Sequence, residues 1–171
     1  MQIGLGSLKI KGKSSSFVVD PNNTIKSKTQ ADAVLLLKEK EKYDLSKIED
    51  SRVLISANGE YEVSGTKIAA FNADSHIFYC LDIDEIQVLI TTEDALLGIK
   101  ESMRDYHMIV LNVNKIIDAS LITALTPRVV ILYGEKSGDL AKVLGSEKEK
   151  SAKFSVKKEQ IPEEMEVVVL E

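Results

Sequence analysis

The chain has 171 residues, 44% hydrophobic and 29% charged, with a net charge of −5, a balance typical of a globular protein long enough to bury a continuous core. No apolar run approaches the ~20 residues that cross a bilayer, the opening residues lack the pattern of a secretory leader, and one cysteine, Cys80, permits no internal disulfide, so a cytoplasmic protein without membrane attachment is expected. The acidic balance makes nucleic acid an unexpected partner, because the lysines between Lys136 and Gln160 are interrupted by Asp139, Glu147, Glu149 and Glu159.

Strand signals dominate the first half. Leu8 and Ile10 alternate with Lys9 and Lys11, Gly12 and Lys13 supply a turn, and Phe17 to Val19 return, so residues 7–20 read as a hairpin ending at Asp20-Pro21. Asn22 to Gln30 is a polar loop. Ala33 to Leu37 is a short apolar run suited to a strand covered on both faces. Further strands are expected at Val53 to Ser56, Tyr61 to Val63, Thr66 to Phe71, Ile77 to Ile83 and Ile86 to Ile90. In the Ile77 to Ile83 run, Ile77, Tyr79, Leu81 and Ile83 share one face and Phe78, Cys80 and Asp82 the other, which makes Cys80 a small core residue.

The second half alternates helix and strand. Thr92 is placed to cap a helix with Glu93 and Asp94 in its first turn and Leu96, Ile99 and Met103 inward. His107 opens a strand to Leu111. Asp118 caps a second helix presenting Leu121 and Leu125 and stopped by Pro127, before the strand Val129 to Ile131. Ser137 caps a third, with Leu140, Val143 and Leu144 inward and Gly145 as its stop. Strands near Phe154 to Val156 and at Val167 to Leu170 close the chain, and the absence of a Gly/Ser/Pro-rich linker predicts one domain.

The segment Gly59-Glu60-Tyr61-Glu62-Val63 followed by Gly65 resembles the G-E-Y-E-V-x-G signature of small metallo-β-lactamase-fold hydrolases, the ascorbate-phosphate-lactonase-like group. Other pieces match in order. Ile3 to Lys13 resembles the family's opening hairpin, with Leu5 where the family has histidine; Val19-Asp20-Pro21 resembles its T-D-P turn; Ala31 to Leu35 resembles the strand before its H-x-H-x-D-H loop; Ile161 to Val169 resembles its C-terminal strand. The resemblance implies an α+β or α/β architecture: a four-layer αββα sandwich of two mixed β-sheets.

Chemistry in that family needs divalent metal held by imidazoles and carboxylates, which acidifies a bound water. By the resemblance, the histidine and aspartate positions fall here on Lys38, Lys40, Lys42 and Tyr43, and a protonated lysine has no lone pair to donate. The bridging aspartate falls near Glu93 and Asp94, the last histidine near Leu132-Tyr133-Gly134, and a histidine-bearing loop is shortened to Asn72-Ala73-Asp74-Ser75. His76 and His107 match no ligand position and read as surface or partly satisfied residues.

A vestigial pocket of Leu5, Lys38, Lys40, Lys42, Tyr43, Glu93, Asp94 and Gly134 is therefore expected, with no catalytic residue, no metal ligand and no cofactor. Charged residues of this kind more often form solvated faces. A sharper hypothesis has one of the three loop lysines replacing the metal by pairing with Glu93 or Asp94.

The expected function is a metal-free, catalytically inactive member of the fold acting as a binding, structural or regulatory module, partnered by a second copy or another protein. One rival is a hydrolase whose rearranged site uses Glu39, Glu41, Glu93, Asp94 and Asp118 around an oxygen-preferring ion such as Mg²⁺. Another is nucleic-acid binding through the loop and C-terminal lysines. No G-x-S-x-G, Cys-His pair or phosphate-binding glycine loop is present.

Overall fold

The structure, a computed structural model, describes residues 1–4, 8–23, 25–38, 43–99, 106–146 and 150–171. In chain order the first strands are β1 (Gln2–Gly4), β2 (Leu8–Lys11), β3 (Ser16–Val19), β4 (Thr29–Gln30), β5 (Ala33–Leu35), β6 (Ile48–Glu49) and β7 (Val53–Ile55). They are followed by β8 (Gly59–Val63), β9 (Thr66–Ala73), β10 (His76–Ile83), β11 (Ile86–Thr92), β12 (Met108–Asn112), β13 (Val129–Tyr133), β14 (Lys153–Ser155) and β15 (Glu166–Val169). Among the described residues three short α-helices, α1 (Glu93–Leu96), α2 (Ser120–Thr123) and α3 (Ser137–Val143), and a 3-10 turn at Lys158–Gln160 interrupt the second half.

Two mixed sheets result. One runs β14-β1-β2-β3-β5-β7, with parallel pairing at β3–β5 and β5–β7; the other runs β15-β13-β12-β11-β10-β9-β8, parallel from β15 to β11 and antiparallel beyond. They face each other across one hydrophobic cluster. Phe17, Leu35 and Ile55 from the first sheet meet Tyr79, Leu81, Val110 and Ile131 from the second, all at 2% exposure or less. The buried Tyr79 hydroxyl lies 2.7 Å from the Leu36 carbonyl and 2.9 Å from that of Ile55, tying the layers together with a polar contact inside an apolar core.

The period-two pattern of β10 sorts as its sequence predicts. Ile77, Tyr79, Leu81 and Ile83 enter the inter-sheet core, whereas Phe78 and Cys80 enter a second cluster under the helices with Leu96, Ile122 and Leu140. Cys80 is buried there, its sulfur 3.2 Å from the Tyr106 hydroxyl.

The helical layer found among the described residues lies on the seven-stranded sheet. On the outer face of the six-stranded sheet, Val18 and Val34 are buried while the ammonium of their neighbour Lys9 donates to the Gln30 carbonyl at 2.8 Å. The loop carrying the parallel β4–β6 ribbon thus lies over that face, where the expected sandwich would carry helices.

Helix details depart from expectation in several places: α1 ends at Leu96, short of Ile99, and α2 has Ala119 and not Asp118 as its N-cap and stops at Thr123, before Leu125. Ser137 lies inside α3, not before it, and its hydroxyl donates to the Gly134 carbonyl at 2.8 Å. Val143 is 59% exposed because Ala141 takes the inward position beside Leu140. Thr92 caps α1 as its sequence suggests, its hydroxyl accepting from the Ala95 amide at 3.2 Å. Asp118 accepts from the Ser120 amide at 2.9 Å. Met103 lies outside the described residues.

Candidate functional site

Five strands release their chains at one rim. Asp20 follows β3, Leu37 and Lys38 follow β5, Glu93 and Asp94 follow β11, Asn112 ends β12, and Tyr133 with Gly134 closes β13. These are the C-terminal ends of strands that have parallel neighbours, the part of a sheet where connections diverge and polar groups gather. The sequence places a polar residue directly after each apolar run, so the rim collects them.

Asp94 is the centre of the charge pattern. Its carboxylate pairs with the Lys115 ammonium, and His76 Nε2 stands 3.9 Å from its other oxygen. The Lys115 hydrogen bond first, then the charges of Lys115, His76 and Lys38, hold the Asp94 carboxyl below the usual carboxylate range. Reciprocally, the Asp94 bond keeps the Lys115 ammonium above its ordinary value, with a smaller contribution from the Glu93 charge.

Lys38 reaches the same place through backbone pairing. It forms an isolated antiparallel bridge with His76, and the Ile77 amide donates to the Leu37 carbonyl at 2.8 Å. Tyr43 closes this loop on itself, its hydroxyl donating to the Lys38 carbonyl at 2.5 Å while accepting from the Lys38 amide at 3.3 Å. Asp20, at a φ of 44°, accepts from the Leu37 amide at 2.7 Å and so fixes the exit of β5.

Glu93 is 5% exposed, with one carboxylate oxygen accepting from the Asn114 amide at 3.1 Å; its second oxygen, like the hydroxyl of the buried Tyr133, has no hydrogen-bond partner among the described residues. Burial, then the charges of Asp20 and Glu93, push the Tyr133 hydroxyl well above its usual range. These three residues therefore share one neighbourhood. Gly134 has a φ of 101°, and a Cβ there would stand 2.7 Å from Asn112 Oδ1 and from the Val113 carbonyl, so only glycine lets β12 and β13 end this close together.

Of the pocket residues expected from sequence, Lys38, Tyr43, Glu93, Asp94 and Gly134 are described and all sit at this rim; Leu5, Lys40 and Lys42 lie outside the described residues, as do Glu39 and Glu41 of the rival site. Asp118 of that rival set has its carboxylate on the Ser120 amide. The direct ion pair to Asp94 is made by Lys115 and not by Lys38, which acts on it at longer range.

Sequence reasoning passed over Lys115, read His76 as a surface or partly satisfied residue, and met Asp20 and Tyr133 only within segments resembling the family's turn and last-histidine region. His76 arrives because the segment expected to be a shortened loop is a tight turn at Asp74 and Ser75, joining Ala73 directly to His76 across the β9–β10 hairpin. The signal for the others was a polar residue just past an apolar strand. His107 belongs elsewhere: its Nδ1 accepts from the Gln87 amide at 3.1 Å and its Nε2 stands 2.5 Å from Lys158 Nζ.

A divalent ion needs several imidazole or carboxylate donors converging on one point. Among the described residues no three His, Cys, Asp or Glu side chains are grouped to hold one, and the best-placed carboxylate already carries an ammonium. The described donor set does not fit such an ion.

No protein-family model matches the chain, and no curated protein matches it. Solved structures do. The chain aligns over 99% of its length with 97% of a candidate zinc-dependent hydrolase of the metallo-β-lactamase superfamily from Thermotoga maritima, at 20% identity and a TM-score of 0.72. It aligns equally fully with 91% of a candidate metal-dependent hydrolase from Parabacteroides distasonis, at 18% identity and a TM-score of 0.62. The chain has the metallo-β-lactamase fold, rich in sheet and poor in helix.

Proposed function

We propose that this chain is a metal-free form of the metallo-β-lactamase fold, folded as one domain, that lacks metal-dependent hydrolase activity and serves as a binding or regulatory module for a protein partner. The observation that carries this reading is the Lys115–Asp94 pair. At the rim where the resemblance places a metal-bridging carboxylate, a tethered ammonium supplies the positive charge. Lys38 adds a second positive charge acting on Asp94, and an ammonium repels a divalent ion and offers it no lone pair.

The test is elemental analysis of protein purified without chelator, paired with assays on phosphodiester and lactone substrates with and without added Zn²⁺ and Mn²⁺. Well under one metal per chain and no metal-stimulated turnover are the expected results. A stoichiometric ion with turnover abolished by Asp94→Ala would defeat the proposal and favour a carboxylate-based hydrolase.

A further inference from the structure

A second feature lies away from this rim and does not depend on the reading just given. β8 is the terminal strand of the seven-stranded sheet. It is joined to β9 by a two-residue turn, Ser64 and Gly65, both at positive φ, which sets Val63 opposite Thr66 and Tyr61 opposite Ile68. In such a hairpin those pairs exchange the hydrogen bonds, so the N–H and C=O groups of Glu60 and Glu62 face away from β9, along an edge with no neighbouring strand among the described residues.

The side chains of the same two residues decide what can pair there. Glu60 and Glu62 are exposed, as are Lys67 and Asp82, and register places Glu62, Lys67 and Asp82 in one row across the sheet. None of these four side chains makes a hydrogen bond or ion pair among the described residues. They border a groove of about 480 Å³, also lined by Cys80 and Tyr106, on the face of the sheet that carries α1 to α3 elsewhere.

The geometry points to β8 as a docking edge for an extended basic segment of a partner protein, with Lys or Arg at every second position. A strand added to β8 would pair its backbone with Glu60 and Glu62 and alternate its side chains in step with theirs. Two of its cations would then stand beside the two carboxylates, and the residue between them would lie beside the partly buried Tyr61. A second copy of the chain is disfavoured at this edge. Antiparallel self-pairing about Tyr61 would oppose Glu60 and Glu62 with carboxylates of the same kind, a like-charge arrangement that protects natural edges from self-association.

The probe is a fluorescein-labelled heptapeptide of alternating lysine and valine, compared by anisotropy with a peptide of the same composition whose lysines are grouped and with its glutamate–valine counterpart. The alternating peptide is expected to bind at least tenfold more tightly than either, with affinity falling as salt rises, and to shift amide resonances at Glu60 and Glu62. Glu60→Lys with Glu62→Lys should lose at least tenfold. Glu62→Pro, which removes one outward N–H, should also weaken binding while circular dichroism shows the sheet retained. Equal affinity for the grouped peptide, equal displacement by a polyamine, unchanged binding to the charge-reversed variant, no binding at all, or sedimentation showing a dimer that dissolves in that variant would each overturn the inference. None of these readouts reports metal content, so this proposal and the preceding one fail separately.

Discussion

At the scale of single residues, carboxylates do most of the tying. Asp32 accepts from the Ser16 amide at 2.8 Å, the Ser16 hydroxyl at 2.9 Å and the Ser64 hydroxyl at 2.8 Å, and so joins the six-stranded sheet to the β8–β9 turn. Burial alone would raise its pKa, but the bonds from Ser64 and Ser16 hold it below the ordinary carboxylate range. A carboxyl whose folded pKa lies below its unfolded value adds stability above the unfolded value of ~3.9 and loses it as pH falls through the folded one. Asp32→Ala should therefore cost about 1–3 kcal/mol at neutral pH and little in strong acid, as read by urea unfolding at both pH values. Asp94 follows the same sign. Replacing Lys115 by Met removes the first cause of its depression, so carboxyl carbon NMR should find its pKa raised toward the ordinary value; an unmoved titration would remove Lys115 as its partner. Tyr79→Phe tests the inter-layer contact. Leaving the Leu36 and Ile55 carbonyls without the hydroxyl should cost about 1–3 kcal/mol in denaturant unfolding.

At the scale of elements, what the sequence revealed and what it hid have separate physical causes. Strands with a strict period of two, such as β10, were legible because each side chain has an unambiguous face. The β2–β3 hairpin was legible for the same reason, with Gly12 marking its turn. β1, β4 and β6 are two or three residues long and carry no period to detect; they exist through pairing with distant chain, as Gln2 does with Ser155. The rim was half legible. The run after each strand was visible, but Lys115 reaches Asp94 from 21 residues away, a distance only β12 and its exit can close. Two glycines distinguish turn strain from close packing. Gly65 has φ 80° and nothing near its would-be Cβ, so Gly65→Ala should cost about 1 kcal/mol from the left-handed backbone alone. Gly134→Ala adds contacts at 2.7 Å with backbone and side chain of the next strand, and its loss in thermal unfolding should clearly exceed that of Gly65→Ala.

At the scale of the whole molecule, the two sheets are held by one shared apolar cluster, and the helices add a second against a single sheet. Burial is continuous enough that truncation at its centre should be felt globally. Phe17, fully buried opposite the second sheet, should cost about 3–5 kcal/mol on replacement by Ala, measured as a drop in the urea midpoint without a change in slope. Helices α1 to α3 are 4, 4 and 7 residues long, too short to be stable alone, and their apolar residues persist as helix only because the seven-stranded sheet covers them. The rim, by contrast, rests on strand exits and carries charges that the core does not need. Its exposed charges, Asp94 and Lys115, are open to change without loss of the frame, whereas Gly134 is not.

The tight connection at Asp74 and Ser75 gives that freedom a practical form. Because it delivers His76 beside Asp94 after only two residues, any extra segment inserted there would emerge directly over the rim. A graft there that carried imidazoles would set them beside the Asp94 carboxylate and the Lys115 ammonium that pairs with it.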